Sequence, residues 1–337
     1  MAHEIDTSND RANIAYAGEL PWHKLGFRIN PAASIDEWCA AAGLNWEIHK
    51  APIFARVGDD LVDAASLNRS VLYRSDTKAL LSVMSTKNFH VVQPAEILSF
   101  IGDSVAAMGW KMETAGSLRG GRKVWALANI GAEAAIGKGD RVKGYLLAAT
   151  ACDGSMASEF MFTSVRVVCN NTLQMATEGE GIESRVKVYH YNTLDVKAVK
   201  KSLGIAESVW ARFIEQAKGL ARIRISEKRA TDLLRGIYEQ PEEKVVVGDE
   251  ILTNDEFLSS NNGFAARNII RLFNGEGRGS TLATAAGTAW GLVNATTEFY
   301  DHIGTAKNDD NRLNAAWFGR GAARKAQVYD ACMKMAA

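Results

Sequence analysis

The sequence predicts an α+β protein: an antiparallel β-meander carrying packed helices, followed by a helical C-terminal part. Three observations predict it. Four strand-like runs lie in close succession between residues 111 and 169, joined by short Gly-containing segments. A Pro-initiated amphipathic run, residues 94–109, precedes them. From about residue 190 onward the apolar residues recur largely at helical spacing.

Taken in order, the first 30 residues are irregular, with Gly18, Pro21 and the compact PWHKLG turn. Ser34 begins a short helix in capping-box relation to Glu37, and Gly43 ends it. NWEIHKAPIFARV alternates as a strand and GDD is its turn. SVLYRS is a second strand, and DTKALLSVMST a turn into a third. The helix PAEILSFIGDSVAAMGW has Pro94 in its first turn, Glu96 beside its positive end, and apolar residues at 97, 98, 101, 105 and 108.

The meander strands are KMETAGSL, RKVWALANI, RVKGYLLAATACDG and SEFMFTSVRVVC. They are separated by RGG, by a Gly- and Ala-rich loop over residues 131–140, and by the turn Asp153-Gly154-Ser155. NNTLQMAT reads as the next helix, with Asn170 or Asn171 as its cap. DVKAVKKSLG, the basic run from residue 207 to 238, and three runs after residue 254 complete the helical part. We therefore expect three regions: residues 1–93 of mixed strand and helix, 94–237 with the meander and basic helices, and 238–337 helical.

Composition narrows the function. The 337 residues are 47% hydrophobic and 23% charged, and no run is apolar enough for a membrane span. The polar, acidic N-terminus is unlike a secretory signal, so a cytoplasmic location is expected. Cys39, Cys152, Cys169 and Cys332 form no C-x-x-C pair and have no histidines at metal spacing. Buried reduced thiols are expected, with no metal and no cofactor.

The net charge is zero, but it is unevenly distributed. Residues 111–230 hold 19 Lys and Arg against 12 Asp and Glu, whereas both flanking segments are acidic. A positive middle is the electrostatic footprint of a polyanion partner, and equally of solvated helices.

Within that segment Arg119, Arg122 and Lys123 surround two glycines at a hairpin tip, where backbone N–H groups and cations could cradle phosphates. Arg166 sits inside an apolar strand and must reach solvent or a partner. With Lys143 and Lys187 these six are the candidate nucleic-acid contacts, and Trp125 and Tyr145 are candidate stacking platforms. Cys169 is a candidate nucleophile only if the fold brings a base to it. NGEGRGS (274–280) lacks the Lys-Ser/Thr ending of a P-loop and reads as a flexible connector. Asp59-Asp60 and Asp309-Asp310 read as solvent-facing turns, and His23 and His49 as turn or core histidines.

The strings LPWHKLG, VMSTKNFHVVQPAEIL, ETAGSLRGGRKVWALANI, DGSMASEFMFTSVRVVCNNTL and GTAWGLVNATTEFYDH occur here in one order. Together they resemble the phage- and plasmid-encoded family catalogued as domain of unknown function 932. The resemblance implies a mobile-element protein inside a bacterial cell and assigns no activity. At fold level, a helix on an antiparallel meander followed by a further helix is similar to the Redβ, RecT and Erf single-strand annealing proteins. That similarity implies a ring or helix of identical subunits holding single-stranded DNA in a basic groove, and it carries over no binding residue. The leading expectation is a non-enzymatic single-stranded DNA-binding and annealing protein of phage or plasmid recombination. The alternatives are an enzyme acting on a nucleotide or nucleic acid, or a host-interaction protein.

Overall fold

The computed structural model describes residues 5–7, 10–18, 25–166, 171–174, 185–191, 206–239, 253–304 and 312–335. The fold is α+β with helices toward the C-terminal end. Contacts divide the chain into two units. The first holds residues 1–131, 145–162 and 179–206; the second holds 132–144, 163–178 and 207–337. The three long strands of the meander contribute residues to both.

The main sheet contains β1 (Ile14–Tyr16), β2 (Phe27–Arg28), β8 (Lys111–Leu118), β9 (Lys123–Gly137), β10 (Asp140–Ala151), β11 (Ser158–Arg166), β12 (Asn171–Gln174) and β13 (Arg185–Val188). Its order is β12-β11-β10-β9-β8-β1-β2, with β13 also paired to β11. β8 and β9 are antiparallel, as are β11 and both of its short partners. β9 and β10 are joined by two residues and β10 and β11 by six, connections that permit only antiparallel neighbours. The expected meander is present.

Helix α1 (Ile35–Ala41) carries the Ser34–Glu37 capping box. Helix α2 (Pro94–Met108) starts on Pro94, with Gln93 and Glu96 closing a second capping box, and ends on Gly109 at φ 68°. Its apolar stripe buries Ile97, Leu98, Phe100 and Ile101, and the Phe100 ring lies 4.3 Å from that of Phe160 on β11. So α2 packs on the meander as expected. β8 to β11 are buried on both faces over Ala115–Leu118, Lys123–Ala128, Gly144–Cys152 and Ser158–Ser164.

A smaller sheet, order β3-β6-β7, comprises β3 (Ile48–Ala51), β6 (Arg69–Arg74) and β7 (Leu80–Ser85). A separate ribbon pairs β4 (Phe54–Val57) with β5 (Asp60–Asp63). The expected single strand over residues 45–57 is thus two, broken at Pro52, which cannot donate to a ladder.

A buried ion cluster holds this unit together. Arg74, with no exposed side-chain surface, donates to Asp6 at 2.6 Å, to Asp76 at 2.8 and 3.0 Å, and to the Gly120 carbonyl at 3.1 Å. Its guanidinium lies 4.3 Å from the Trp46 ring centre. Asn13 and Ser117 supply further donors to Asp6. Two carboxylates, a carbonyl and an aromatic face together satisfy one buried cation.

The second unit contains α3 (Ala206–Arg222), α4 (Glu227–Tyr238), α5 (Asn254–Ser259), α6 (Phe264–Arg271), α7 (Ala289–Glu298), α8 (Arg312–Phe318) and α9 (Arg320–Met333). All ten residues of α7 are buried. Its polar side chains survive there because Asn294, Thr296 and Thr297 donate to carbonyls one turn back. Asp140 accepts from Thr284 Oγ1 at 2.6 Å and Trp290 Nε1 at 3.1 Å, which ties the β9–β10 hairpin to α7. Lys325 and Asp301 form a second buried pair at 2.7 Å.

Three sequence expectations change here. Residues 131–137 are strand rather than loop: their small side chains alternate in exposure as β9 continues to a two-residue turn at Lys138-Gly139. Residues 171–174 are strand β12 rather than the start of a helix, because Arg166, Val165, Ser164 and Thr163 pair with Asn171, Thr172, Leu173 and Gln174. The ladder overrides a weak local pattern. Asn171 therefore caps no helix, and Asn170 lies outside the described residues. Finally, the 274–280 glycine segment is not a loose connector. The Glu298 carboxylate accepts from the Arg278 N–H at 2.9 Å, and Gly277 and Ser280 close turns onto Leu272 and Gly277.

Candidate nucleic-acid interface

The β8–β9 hairpin tip is held by groups from outside it. Arg119, Gly120 and Gly121 all take positive φ, at 55°, 66° and 85°. Gly121 has no alternative: a Cβ there would lie 2.6 Å from Arg74 Nη1 and 2.8 Å from the Trp46 ring. Arg74 grips the Gly120 carbonyl, and the Arg122 carbonyl accepts from the Cys152 N–H at 2.7 Å. Arg119 and Arg122 are exposed on this rigid turn. Lys123, the third expected cation, is only 8% exposed, which removes it from the set a ligand could touch without rearrangement.

A second group of exposed side chains lies along β13 and the residues after it. Arg185, Lys187, Tyr189 and Tyr191 are exposed, Val186 and His190 are buried, and Val188 is intermediate between them. Alternation turns the sequence RVKVYHY into a line of two cations followed by two tyrosines. Tyr189 and Tyr191 are 57% and 72% exposed, unusual for rings that no core demands. The inward residues hold the segment down. His190 presents both ring nitrogens 3.1 Å from carbonyl oxygens, of His90 and of Met156, and stacks 4.7 Å from Phe89. Its own carbonyl accepts from the His90 N–H. Beneath the cations the buried Glu159 carboxylate meets Arg185 at 2.6 Å and Lys187 at 3.6 Å. Two cations share one carboxylate, which leaves a net positive charge facing outward.

One loop ties both groups. Cys152 bonds the tip and Met156 bonds His190, and four residues of chain span at most about 14 Å between Cα atoms. The tip and the tyrosine segment are therefore anchored close together on the β10–β11 connection.

The other expected residues fall differently. Lys143 is half-buried on β10 within the second unit. Arg166 ends β11, paired to Asn171. Trp125 and Tyr145 are 2% and 5% exposed, so they belong to the core and cannot serve as stacking platforms as placed; a sheet covered on both faces buries them. Tyr189 and Tyr191 were the missed aromatics, and the signal was the strict alternation of RVKVYHY.

Nothing described resembles an activated nucleophile. Burial raises the Cys39 thiol to about 11 and that of Cys332 to about 12, and it pushes Cys152 up as well. Cys169 lies outside the described residues, as does His23. His49 is a half-exposed ring beside Glu47 and Tyr73. In the second unit an open groove of about 560 Å³ lies between α4 and α5. Its Asp232 is already engaged by Arg235 and Asn254. No helix among the described residues is long and apolar enough to cross a membrane.

Comparison with known proteins comes after this geometry. No curated protein and no solved structure matches the chain. Residues 80–317 match the family described as domain of unknown function (DUF932), and the chain belongs to that family.

Proposed function

Taking membership of a family without assigned activity as the premise, we propose that the protein binds single-stranded DNA and promotes its annealing as a homo-oligomer, within a phage or plasmid recombination system in the bacterial cytoplasm. The observation that carries this reading is the exposed Arg185-Lys187-Tyr189-Tyr191 line beside the clamped Arg119–Arg122 tip. Cations that track a backbone, next to aromatic rings that every base can stack on, form the usual combination for binding a strand without reading its sequence. Rigid support of both groups lowers the ordering cost of binding. The positive balance of residues 111–230 acts in the same direction.

The surface differs from a sheet-face groove. β8 to β11 are covered on both sides, so the strand would run over the hairpin tip and the β13 segment.

The test is fluorescence anisotropy with a labelled single-stranded oligonucleotide. Tyr189→Ala and Tyr191→Ala should each weaken binding by about 1–3 kcal/mol with the fold intact, because each removes one stacking platform. Binding that is unchanged in the double variant would remove the basis of the proposal.

A further inference from the structure

The β4–β5 ribbon buries none of its side chains. From residue 52 to residue 69 the chain contains no buried position, yet it presents Phe54 at 51%, Val57 at 62%, Leu61 at 71% and Val62 at 47% exposure. Among the described residues it pairs with no other strand. A two-stranded ribbon of this kind is marginal in water and is stabilised when something covers it. Its register says what fits. Phe54 stands opposite Asp63 and Arg56 opposite Leu61, so these four side chains share one face as the corners of a square. Phe54 and Leu61 occupy one diagonal; Arg56 and Asp63 occupy the other.

We propose that this face is a self-association surface, on which a second copy of the chain docks the same four residues about a two-fold axis along the Phe54–Leu61 diagonal. That rotation places Phe54 on Phe54 and Leu61 on Leu61. It also exchanges the other corners, so that each Arg56 faces the partner copy's Asp63. The face is self-complementary in charge and in apolar surface, as an isologous contact requires. Orthogonal packing of two ribbons is an ordinary sheet-on-sheet arrangement. Nucleic acid fits less well, because the arm carries Asp59, Asp60 and Asp63 against the single cation Arg56. Four side chains cover much less than the roughly 800 Å² per partner of a stable interface, so this contact is weak and concentration-dependent by itself. It gives the assembly part of the preceding proposal a contact. Self-association is read without nucleic acid, so either proposal can fail without the other.

The test is sedimentation velocity on the full chain over a concentration series. Wild type should self-associate. Arg56→Asp and Asp63→Arg should each raise the dissociation constant about tenfold or more, since each turns two facing pairs from attractive to repulsive. Every substituted side chain is exposed, and circular dichroism should show that the fold persists. An equimolar mixture of the two variants should associate again, because acidic corners then face basic ones, and the double variant should recover by itself. Leu61→Ser should weaken association without rescue by either partner. A monomeric wild type, variants that associate like wild type, or a mixture no better than its components would overturn the proposal. So would arm variants that leave self-association intact and weaken oligonucleotide binding instead, which would identify nucleic acid as the occupant.

Discussion

Two hairpins of the first unit use the same local chemistry to opposite ends. The β8–β9 tip and the β4–β5 tip both turn on glycine at positive φ, Gly120-Gly121 in one and Gly58 in the other. A Cβ at Gly121 would run into Arg74 and Trp46; a Cβ at Gly58 would meet no described atom within 4 Å beyond its chain neighbours. The first hairpin is held by a buried cation, while the second is held by its own ladder and by the Asp63 carboxylate, which accepts from the Ala65 N–H at 2.8 Å. The difference teaches where rigidity is placed. The arginines proposed to meet a strand stand on the clamped turn, and the apolar residues proposed to meet a second copy stand on the bare one.

Removing the clamp should give the largest effect. Arg74→Ala leaves Asp6 buried without its cation and should cost about 3–5 kcal/mol of stability in chemical denaturation. The same cluster should make the protein acid-sensitive. Desolvation raises the Asp76 carboxyl, but hydrogen bonds from Arg74 and the Thr77 N–H, together with the Arg74 charge, bring it below its ordinary value. A group depressed in the folded state adds stability that is present above its unfolded pKa and is lost as pH falls through the folded one. Stability lost as pH falls below the ordinary carboxylate range should therefore shrink in Asp76→Asn. Equal acid profiles for the two proteins would mean that the clamp does not depend on that charge.

The glycines sharpen the contrast. Gly121→Ala combines left-handed strain with a Cβ pressed against Arg74 and Trp46, and should cost about 2–4 kcal/mol. Gly58→Ala meets only the backbone strain and should cost about 1 kcal/mol, with Asn tolerated better than Ala. Similar melting shifts at both positions would mean that the two turns are equally free.

How much of this was legible follows from the range of each interaction. The meander strands and α2 are visible because β-branched runs, Pro94 and Glu96 are local signals. The Ala- and Gly-rich end of β9 looks like a loop because small side chains say little about burial, and its partner β10 decides the matter. β12 looked helical for the same reason. The Arg74 cluster could not be read, since Asp6 and Arg74 are 68 residues apart. Trp125 and Tyr145 looked available because alternation gives faces but cannot say that both faces are covered. The tyrosines after β13 were legible in principle; a helical reading from residue 190 onward concealed them.

The smallest effects lie on the salt axis, and they test the two hairpins against each other most directly. Each cation that meets a phosphate of a single strand releases counterions, which adds about 0.7 to the slope of log affinity against log salt. Arg122→Ala and Lys187→Ala should each make that slope shallower by this amount, whereas Arg56→Ala on the bare ribbon should leave it unchanged. Glu159→Gln should act in the opposite sense. The buried carboxylate now neutralises part of the Arg185 and Lys187 charge, at 2.6 and 3.6 Å, and its removal frees those cations for the ligand. Because Arg185 and Lys187 are themselves partly exposed, water can solvate them once the carboxylate is gone, so the fold should survive the substitution. Binding at low salt should then tighten and the slope should steepen. If Arg122→Ala and Arg56→Ala give the same slope, the clamped arginines do not meet the strand. If Glu159→Gln weakens binding in a folded protein, the carboxylate positions the two cations rather than competing for them.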